Sequence, residues 1–280
     1  MKKITRIITV AMALTMALTG AAMATPSTQI WIPSTDIQPF LVGHLGIDNY
    51  FRASGVTKSG MPTRDPNIMD IGLTVGVLPF EKIQTEVGFD YLTIANDPND
   101  NHPFSFNAKI GTPEDAFFKY QPAVAVGIYN LGLSQSAGNG TLGILGNAPF
   151  VTSGQNIVYG LVARTLPAIG PVPSLGRLSF GGYHGAQSAL ISPINPITLT
   201  FGSANDGFMA SWDRTMSEIS DKLWLGVDYM SGNNVDGAVS FGVSWKFAKN
   251  VSVIFGYSVF KEKSLAGNNT FTTQLDIDFP

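Results

Sequence analysis

The sequence predicts an all-β protein, an antiparallel up-and-down transmembrane β-barrel of about 12 strands, with 10 to 14 allowed. Only 13% of the residues are charged, whereas an ordinary soluble domain has about 25%. After the first 24 residues, no stretch approaches the roughly 18 consecutive apolar residues of a spanning helix. Segments of about ten residues alternate apolar with small or polar positions along the chain. Lipid admits only helices and closed barrels, so these observations favour a barrel.

The N-terminus has the organisation of a secretory signal. A basic start, an apolar run and a group of small residues follow one another, at positions 2–6, 7–18 and 20–24. The apolar run is shorter than the ~20 residues that a membrane anchor needs. We predict cleavage after Ala24, which leaves a single barrel domain over residues 25–280.

Composition excludes other classes. The chain carries 17 Lys+Arg against 20 Asp+Glu, and loss of the basic leader makes the remainder more acidic still. No basic stripe is visible, so we expect no nucleic-acid partner. Cysteine is absent, so disulfides cannot stabilise the exported chain, and extensive burial or a closed sheet must do so.

The last four strands have the clearest alternation, at residues 223–230, 239–247, 251–259 and 271–279. Eight weaker segments precede them, at residues 40–52, 69–78, 82–94, 103–111, 120–130, 156–166, 176–185 and 206–214. Short and long connections alternate between the segments, as in barrels with short periplasmic turns and longer external loops.

Three alternatives remain open for the fold. A short segment at 197–201 could add a strand, and the long, rather apolar loops at 131–155 and 186–205 could fold inward. A soluble β-sandwich would also contain many short strands with frequent turn signals.

The C-terminal third contains the run Gly207-Phe208-Met209-Ala210-Ser211-Trp212-Asp213-Arg214, and similar runs follow at 222–232, 242–247 and 256–257. In this pattern the chain resembles porin-like outer-membrane β-barrel proteins of Gram-negative bacteria, over about 75 residues. The resemblance implies a bacterial outer-membrane location after export through the periplasm, with outer-membrane lipid and the barrel-assembly machinery, acting through the C-terminal strand, as partners. That class typically ends on an aromatic residue, whereas here Pro280 follows Phe279.

Charged residues that alternate with apolar positions are expected to face the lumen. They are Asp48, Glu86, Asp90, Asp213, Asp228, Asp276 and Asp278, against Lys109, Arg164 and Lys246. Because the acids outnumber the bases, the wall would attract cations. The prediction is a porin-like, weakly cation-selective channel for passive diffusion of small hydrophilic solutes or ions.

Two other functions are weighed against the channel. If Asp228 or Glu86 pairs with a lumen base, the pair would help to plug a non-conducting barrel, which would serve as a structural or adhesive protein with partner-binding external loops. A barrel phospholipase would need a serine activated by histidine, and His184 with Ser188 is the only nearby pair. Four residues along a strand lie ~13 Å apart at ~3.3 Å per residue, so a loop bend would be required.

Motifs for catalysis or metal binding are weak. The chain has no G-x-S-x-G motif, and His44 and His102 lack metal-ligand spacing. The acidic turn at 96–101 offers oxygen ligands without the spacing of a calcium loop. We therefore expect no enzymatic activity, no metal and no cofactor.

Overall fold

The computed structural model describes residues 27–58, 61–63, 67–94, 104–132, 155–168, 170, 174–185, 190–194 and 201–280. The predicted leader, residues 1–24, lies outside them. In chain order the strands are β1 (Gly43–Arg52), β2 (Val56–Lys58), β3 (Met61–Thr63), β4 (Ile68–Gly76), β5 (Gln84–Ile94), β6 (Phe104–Thr112), β7 (Ala123–Leu131), β8 (Ile157–Leu166), β9 (Gly176–His184), β10 (Ile191–Ile194), β11 (Phe201–Ser203), β12 (Asp206–Thr215), β13 (Leu223–Met230), β14 (Ala238–Ala248), β15 (Val251–Phe260) and β16 (Thr270–Phe279). The residues that the structure describes contain a single short helix, α1 (Lys263–Ala266).

Twelve of these strands close into one antiparallel barrel, which confirms the predicted fold class and strand number. The ring order is β1-β16-β15-β14-β13-β12-β9-β8-β7-β6-β5-β4. Each barrel strand therefore pairs with the barrel strands that precede and follow it in the chain. Pairing of β1 with β16, from Gly43 opposite Phe279 to Arg52 opposite Thr270, closes the ring. The other strands form two small hairpins, β2-β3 and β10-β11. The segment considered as an extra strand, 197–201, lies outside the described residues apart from Phe201, where β11 begins.

The two ends of the barrel differ. Short connections form one end, called here the short-turn end, at residues 77–83, 113–122, 167–175, 216–222 and 249–250. The opposite, long-loop end carries the connections at 53–67, 95–103, 132–156, 185–205, 231–237 and 261–269. Both β1 and β16 meet the short-turn end, β1 with its first residue and β16 with its last.

The outer face of the barrel is apolar. Successive side chains of a strand point to opposite faces. Among the outward side chains of the described strands, those that are 40% exposed or more include Phe89, Phe106, Val126, Val162, Phe180, Phe208, Phe241, Phe255 and Phe271. The alternate, inward positions on the same strands are mostly small or polar, as at Ser240, Ser258, Thr270 and Thr272, which are buried. An apolar belt around a closed sheet is the surface that a lipid bilayer requires. No helix in the described ranges is long and apolar enough to cross a membrane.

The first barrel strand begins three residues later than predicted. Leu41 has a left-handed φ of 62°, and the amide of Val42 donates to the carbonyl of Pro39 at 3.0 Å. This turn separates β1 from the residues before it, which leave the wall and enter the lumen.

Candidate functional site: the barrel lumen

Residues 27–38, called here the plug segment, lie inside the barrel. The segment enters from the short-turn end, where Phe40 forms a parallel bridge with Gly76. Its N-terminal part forms a tight hairpin, with a bridge between Thr28 and Pro33 and a 2.8 Å bond from the amide of Gln29 to the carbonyl of Ile32. Most of its side chains are buried, and Ile30 and Ile32 are 1% and 0% exposed. The segment therefore fills part of the lumen of the described barrel.

Asp228 on β13 holds the tip of this hairpin. One carboxylate oxygen, Oδ2, accepts hydrogen bonds from the backbone amides of Ile30, Trp31 and Ile32, at 2.9, 2.7 and 3.2 Å. Three successive amides around one oxygen form a concave anion site of the kind that backbone nests provide. Because Asp228 is only 1% exposed, these charge-assisted bonds compensate for its removal from water.

A buried ion pair holds the base of the hairpin. Lys109 on β6 lies 3.0 Å from Glu86 on β5, and both side chains are 3% exposed. The Lys109 ammonium also donates to the carbonyls of Ser27, Ser34 and Asp36, at 2.9, 3.4 and 2.5 Å. Glu86 accepts a 2.7 Å bond from the amide of Gln38. Both charges of the pair thus bind the main chain of the plug segment.

A third set of contacts ties plug side chains to the wall. Arg177 on β9 binds Asp36 through both terminal nitrogens, at 2.6 and 2.7 Å, and its Nε donates to Asp213 on β12 at 3.1 Å. Asp213 also accepts from the amide of the Gln29 side chain at 3.0 Å. This planar, two-pronged geometry is the strong form of the arginine–carboxylate interaction.

Apolar contacts complete the docking towards the long-loop end. Trp31 meets the rings of Tyr50 and Phe260 edge-on, with centroids 5.4 and 5.3 Å apart. Ile32 belongs to a buried cluster of wall and loop residues, namely Ile157, Tyr159, Leu161, Tyr183, Leu190, Met209, Met230, Val235, Ala238, Phe260, Leu265 and Ala266. Burial of each Val, Leu, Ile, Phe or Met side chain in this cluster contributes roughly 1.5–3 kcal/mol. Leu190 comes from the loop at 186–205, so this loop reaches the cluster.

The two charged anchors lie across the barrel from each other. In the ring of twelve strands, β13 with Asp228 is six positions from β5 with Glu86, which places the two strands diametrically opposite. Gln274 on β16 adds a bond of 2.6 Å from its side-chain amide to the carbonyl of Ile30. The plug segment therefore spans the full width of the lumen.

Gly76 on β4 is required where the chain enters the lumen. A Cβ at this position would overlap the carbonyl oxygens of Pro39 and Gln38. We expect Gly76→Val to displace the plug segment while the barrel still forms. A single reporter, Ser34→Cys, is 1% exposed at present and would become reactive to a water-soluble maleimide in the Gly76→Val background. The chain has no native cysteine, so the labelling is unambiguous.

Gly160 provides the matched control for this test. It is also a strand glycine, but a Cβ there would meet nothing within 4 Å. Gly160→Val should leave Ser34→Cys protected. Equal labelling in both variants would show that the narrow passage at Gly76 does not hold the segment.

Space remains in the lumen beside the plug segment. A cavity of about 540 Å³ lies at the short-turn end, where Lys246, Trp224 and Arg177 are among its lining residues. A smaller one, of about 140 Å³, is lined by Asp48, Asp70 and Asp90 from three adjacent strands. Asp48 is directly opposite Asp70 in the strand register, and Asp90 accepts a 2.8 Å bond from Asn107.

Nine of the ten charged residues expected in the lumen lie on inward positions. Glu86, Lys109, Asp213 and Asp228 hold the plug segment, whereas Asp48 and Asp90 line the smaller cavity and Lys246 the larger one. Asp276 and Asp278 flank His44, whose ring nitrogens lie 3.5 and 2.8 Å from their carboxylates. Of the contacts that these residues make there, the pairing of Glu86 with a lumen base was among the alternatives considered from the sequence, and the binding of the plug segment was not.

Arg164 does not face the lumen as predicted. It lies on the same face of β8 as Val158 and Val162, which are 45% and 46% exposed, so it is on the outer side of the wall. Its guanidinium binds Glu114 and Asp115 in the turn at 113–122, at 3.1 and 3.0 Å. The prediction was wrong because the inner face of β8 is apolar, where it packs against the plug segment and the loops. The hydrogen bond from Arg164 lowers the pKa of the exposed Asp115.

Several residues of the lumen were not predicted from the sequence. Asp70 and Arg177 sit at inward positions and could have been found from the alternation with Ile71 or Leu178. The plug segment itself has no repeating pattern that distinguishes it from a linker. Asp236, in the loop at 231–237, was also missed. Burial raises its pKa to about 6, and a hydrogen bond from Gln155 partly opposes this rise.

The pair considered for catalysis is only partly described. His184 lies 2.7 Å from Asp206, and both side chains are exposed at the long-loop end. Ser188 and the acidic turn at 96–101 lie outside the described residues. Within the described ranges, no group of three or more His, Asp or Glu side chains is arranged to hold a metal ion.

Comparisons with known proteins agree on architecture alone. No protein-family model matches the chain, and no curated protein matches it. The COG4313 outer membrane channel from Pseudomonas putida F1 is 10% identical with a TM-score of 0.43, over 87% of this chain and 96% of that chain. The NanC porin is 8% identical with a TM-score of 0.43, over 84% and 99%. The outer membrane protein Omp33 of Acinetobacter baumannii is 8% identical with a TM-score of 0.40, over 87% and 100%.

At these TM-scores the similarity carries no argument about what this chain does. The closed sheet, the apolar belt and the polar inner wall define the class on their own. The chain is a transmembrane β-barrel of the outer-membrane type, with an internal plug segment.

Proposed function

We propose that this chain is a porin-like channel of the bacterial outer membrane for passive diffusion of small hydrophilic solutes or ions, weakly selective for cations. In the present conformation the plug segment closes it. The proposal includes no catalytic activity. It places the outer face in outer-membrane lipid and assigns recognition by the barrel-assembly machinery to β16.

The observation that carries the proposal is the contrast between the two faces of the wall. The outer face is apolar, whereas the inner face holds carboxylates on six of the twelve barrel strands. Those on β1, β4 and β5, at Asp48, Asp70 and Asp90, line the smaller cavity, where Asp90 accepts a hydrogen bond from the uncharged side chain of Asn107. Wall charges act strongly on ions in a narrow passage, so these acids favour cations.

Ion selectivity tests the proposal directly. In planar bilayers, the chain with Gly76→Val should show open steps, and the reversal potential in a KCl gradient should indicate preference for K⁺. Adding Asp48→Asn and Asp90→Asn should bring the permeability ratio towards one, because the charges that concentrate cations are removed.

Glu81→Gln supplies the matched control, since Glu81 is an exposed acid in the turn at 77–83. This change should leave the reversal potential where it was. Anion preference in the starting protein would contradict the proposed selectivity, and failure of every variant to conduct would contradict the channel.

A non-conducting barrel is the second candidate, because the plug segment is held by buried charges on opposite walls. Such a barrel would be a structural or adhesive protein whose external loops bind a partner. The two candidates separate on a shortened barrel of residues 39–280, without the plug segment, which conducts only if the wall itself encloses a continuous passage.

A further inference from the structure

The inner wall recognises the main chain of the plug segment more than its side chains. Asp228 accepts from three backbone amides, and Lys109 donates to three backbone carbonyls. Glu86 accepts from a fourth amide, and Gln274 donates to a fourth carbonyl. Contacts of wall side chains with plug side chains are fewer among those described, chiefly Asp213 with Gln29 and Arg177 with Asp36.

Main-chain groups are common to all peptides. A wall that binds amides and carbonyls therefore provides polar partners to any short peptide that adopts a similar turn. Sugars and inorganic ions do not present three successive N–H donors at the spacing that Asp228 accepts.

The surroundings of these polar groups suit apolar peptide side chains. A Cβ on Gly242 would lie 2.8 Å from Cδ1 of Ile30. The glycine therefore leaves room in the wall for the Ile30 side chain. Trp31 lies between the edges of Tyr50 and Phe260, and Ile32 is fully buried in the apolar cluster. Apolar surroundings with a few convergent polar groups are typical of ligand sites.

We propose that the lumen is a binding site for short peptides with apolar side chains, and that the plug segment is its tethered, self-blocking occupant. This inference rests on the proposed channel function, and adds short peptides to the solutes that the channel accepts once the segment withdraws. Because the segment is part of the same chain, its effective concentration is high, and a free peptide binds only after the segment leaves.

The test uses a barrel of residues 39–280, which lacks the plug segment, in detergent. The probe is the synthetic 12-residue peptide of sequence Ser27 to Gln38, whose single tryptophan reports binding by fluorescence and by calorimetry. An analogue that is N-methylated at the positions of Ile30, Trp31 and Ile32 keeps every side chain and removes the donors to Asp228. It should bind at least about tenfold more weakly, as should the parent peptide to an Asp228→Asn barrel. Glu81→Gln should not change the affinity.

Competition against the probe tests whether the site accepts other peptides. A hexapeptide of alanine and leucine should displace the probe and maltotriose should not. Displacement by maltotriose, or unchanged binding of the N-methylated analogue, would overturn the inference. Failure of the hexapeptide to compete would overturn it as well, because the site would then serve only its own segment.

Folding of the shortened barrel and its conductance are measured beside peptide binding. If the shortened barrel does not migrate as a folded, heat-modifiable species, the full chain with Gly76→Val replaces it in the same titrations. Peptide binding without conductance would support a peptide site and contradict the channel. Conductance without peptide binding would support the channel and overturn the peptide site.

Discussion

Removal of residues 25–38 should convert the chain into a channel that is open nearly all the time. Docking of the plug segment combines the contacts of Asp228 and the Glu86–Lys109 pair with burial of three large apolar side chains. A conformational ratio changes from 1:99 to 99:1 with about 5.5 kcal/mol, and burial of three isoleucine side chains at roughly 1.5–3 kcal/mol each is of this size before the cost of ordering the segment. We expect rare openings of the full chain in planar bilayers and stable steps from the shortened barrel.

The comparison needs a check that both proteins are folded. Heat-modifiable migration and far-ultraviolet circular dichroism should be the same for residues 25–280 and 39–280. Adding the peptide of residues 27–38 back should reduce the current. Equal conductance of the two folded proteins would show that the segment does not close the passage.

Replacing Lys109 by methionine should destabilise the folded protein by about 3–5 kcal/mol, because Glu86 would be left buried without its counter-ion. Three plug carbonyls would also lose their donor. Urea unfolding in lipid vesicles, followed by tryptophan fluorescence, measures the loss. The same variant should expose the Ser34→Cys reporter to maleimide.

A double variant separates stability from docking. Glu86→Leu with Lys109→Met removes both buried charges, and such replacements are often neutral or stabilising. We expect recovery of most of the unfolding free energy, while Ser34→Cys stays reactive. Recovery of its protection would mean that the ion pair stabilises the wall and does not hold the plug segment.

The sequence predicts the strands of the barrel wall better than it predicts the plug segment inside the barrel. Alternation is visible in β13 to β16 because one face meets lipid while the other carries small or polar residues. The same rule failed at Arg164, since β8 is apolar on both faces. An inward apolar face is not expected of a water-filled lumen, and it exists here because the plug segment and the loops pack against it.

The plug segment could not be predicted from local pattern. Ile30 and its acceptor Asp228 are 198 residues apart, and Lys109 is 82 residues from Ser27. Nothing in residues 27–38 repeats with the period of a strand or a helix. The ion pair of Glu86 with Lys109 was one of the alternatives that the charges allowed, but its role in binding main-chain carbonyls needs the three-dimensional arrangement.

The diametric placement of the two anchors has a mechanical consequence. A sheet closed on itself can flatten into an ellipse at little cost to its hydrogen bonds, because its strands need only tilt against one another. The docked segment acts as a strut between β13 and β5 and fixes the circular cross-section along that diameter. Release of the strut would therefore soften the barrel as a whole, so that the width of the passage and the pressure of the surrounding lipid become coupled.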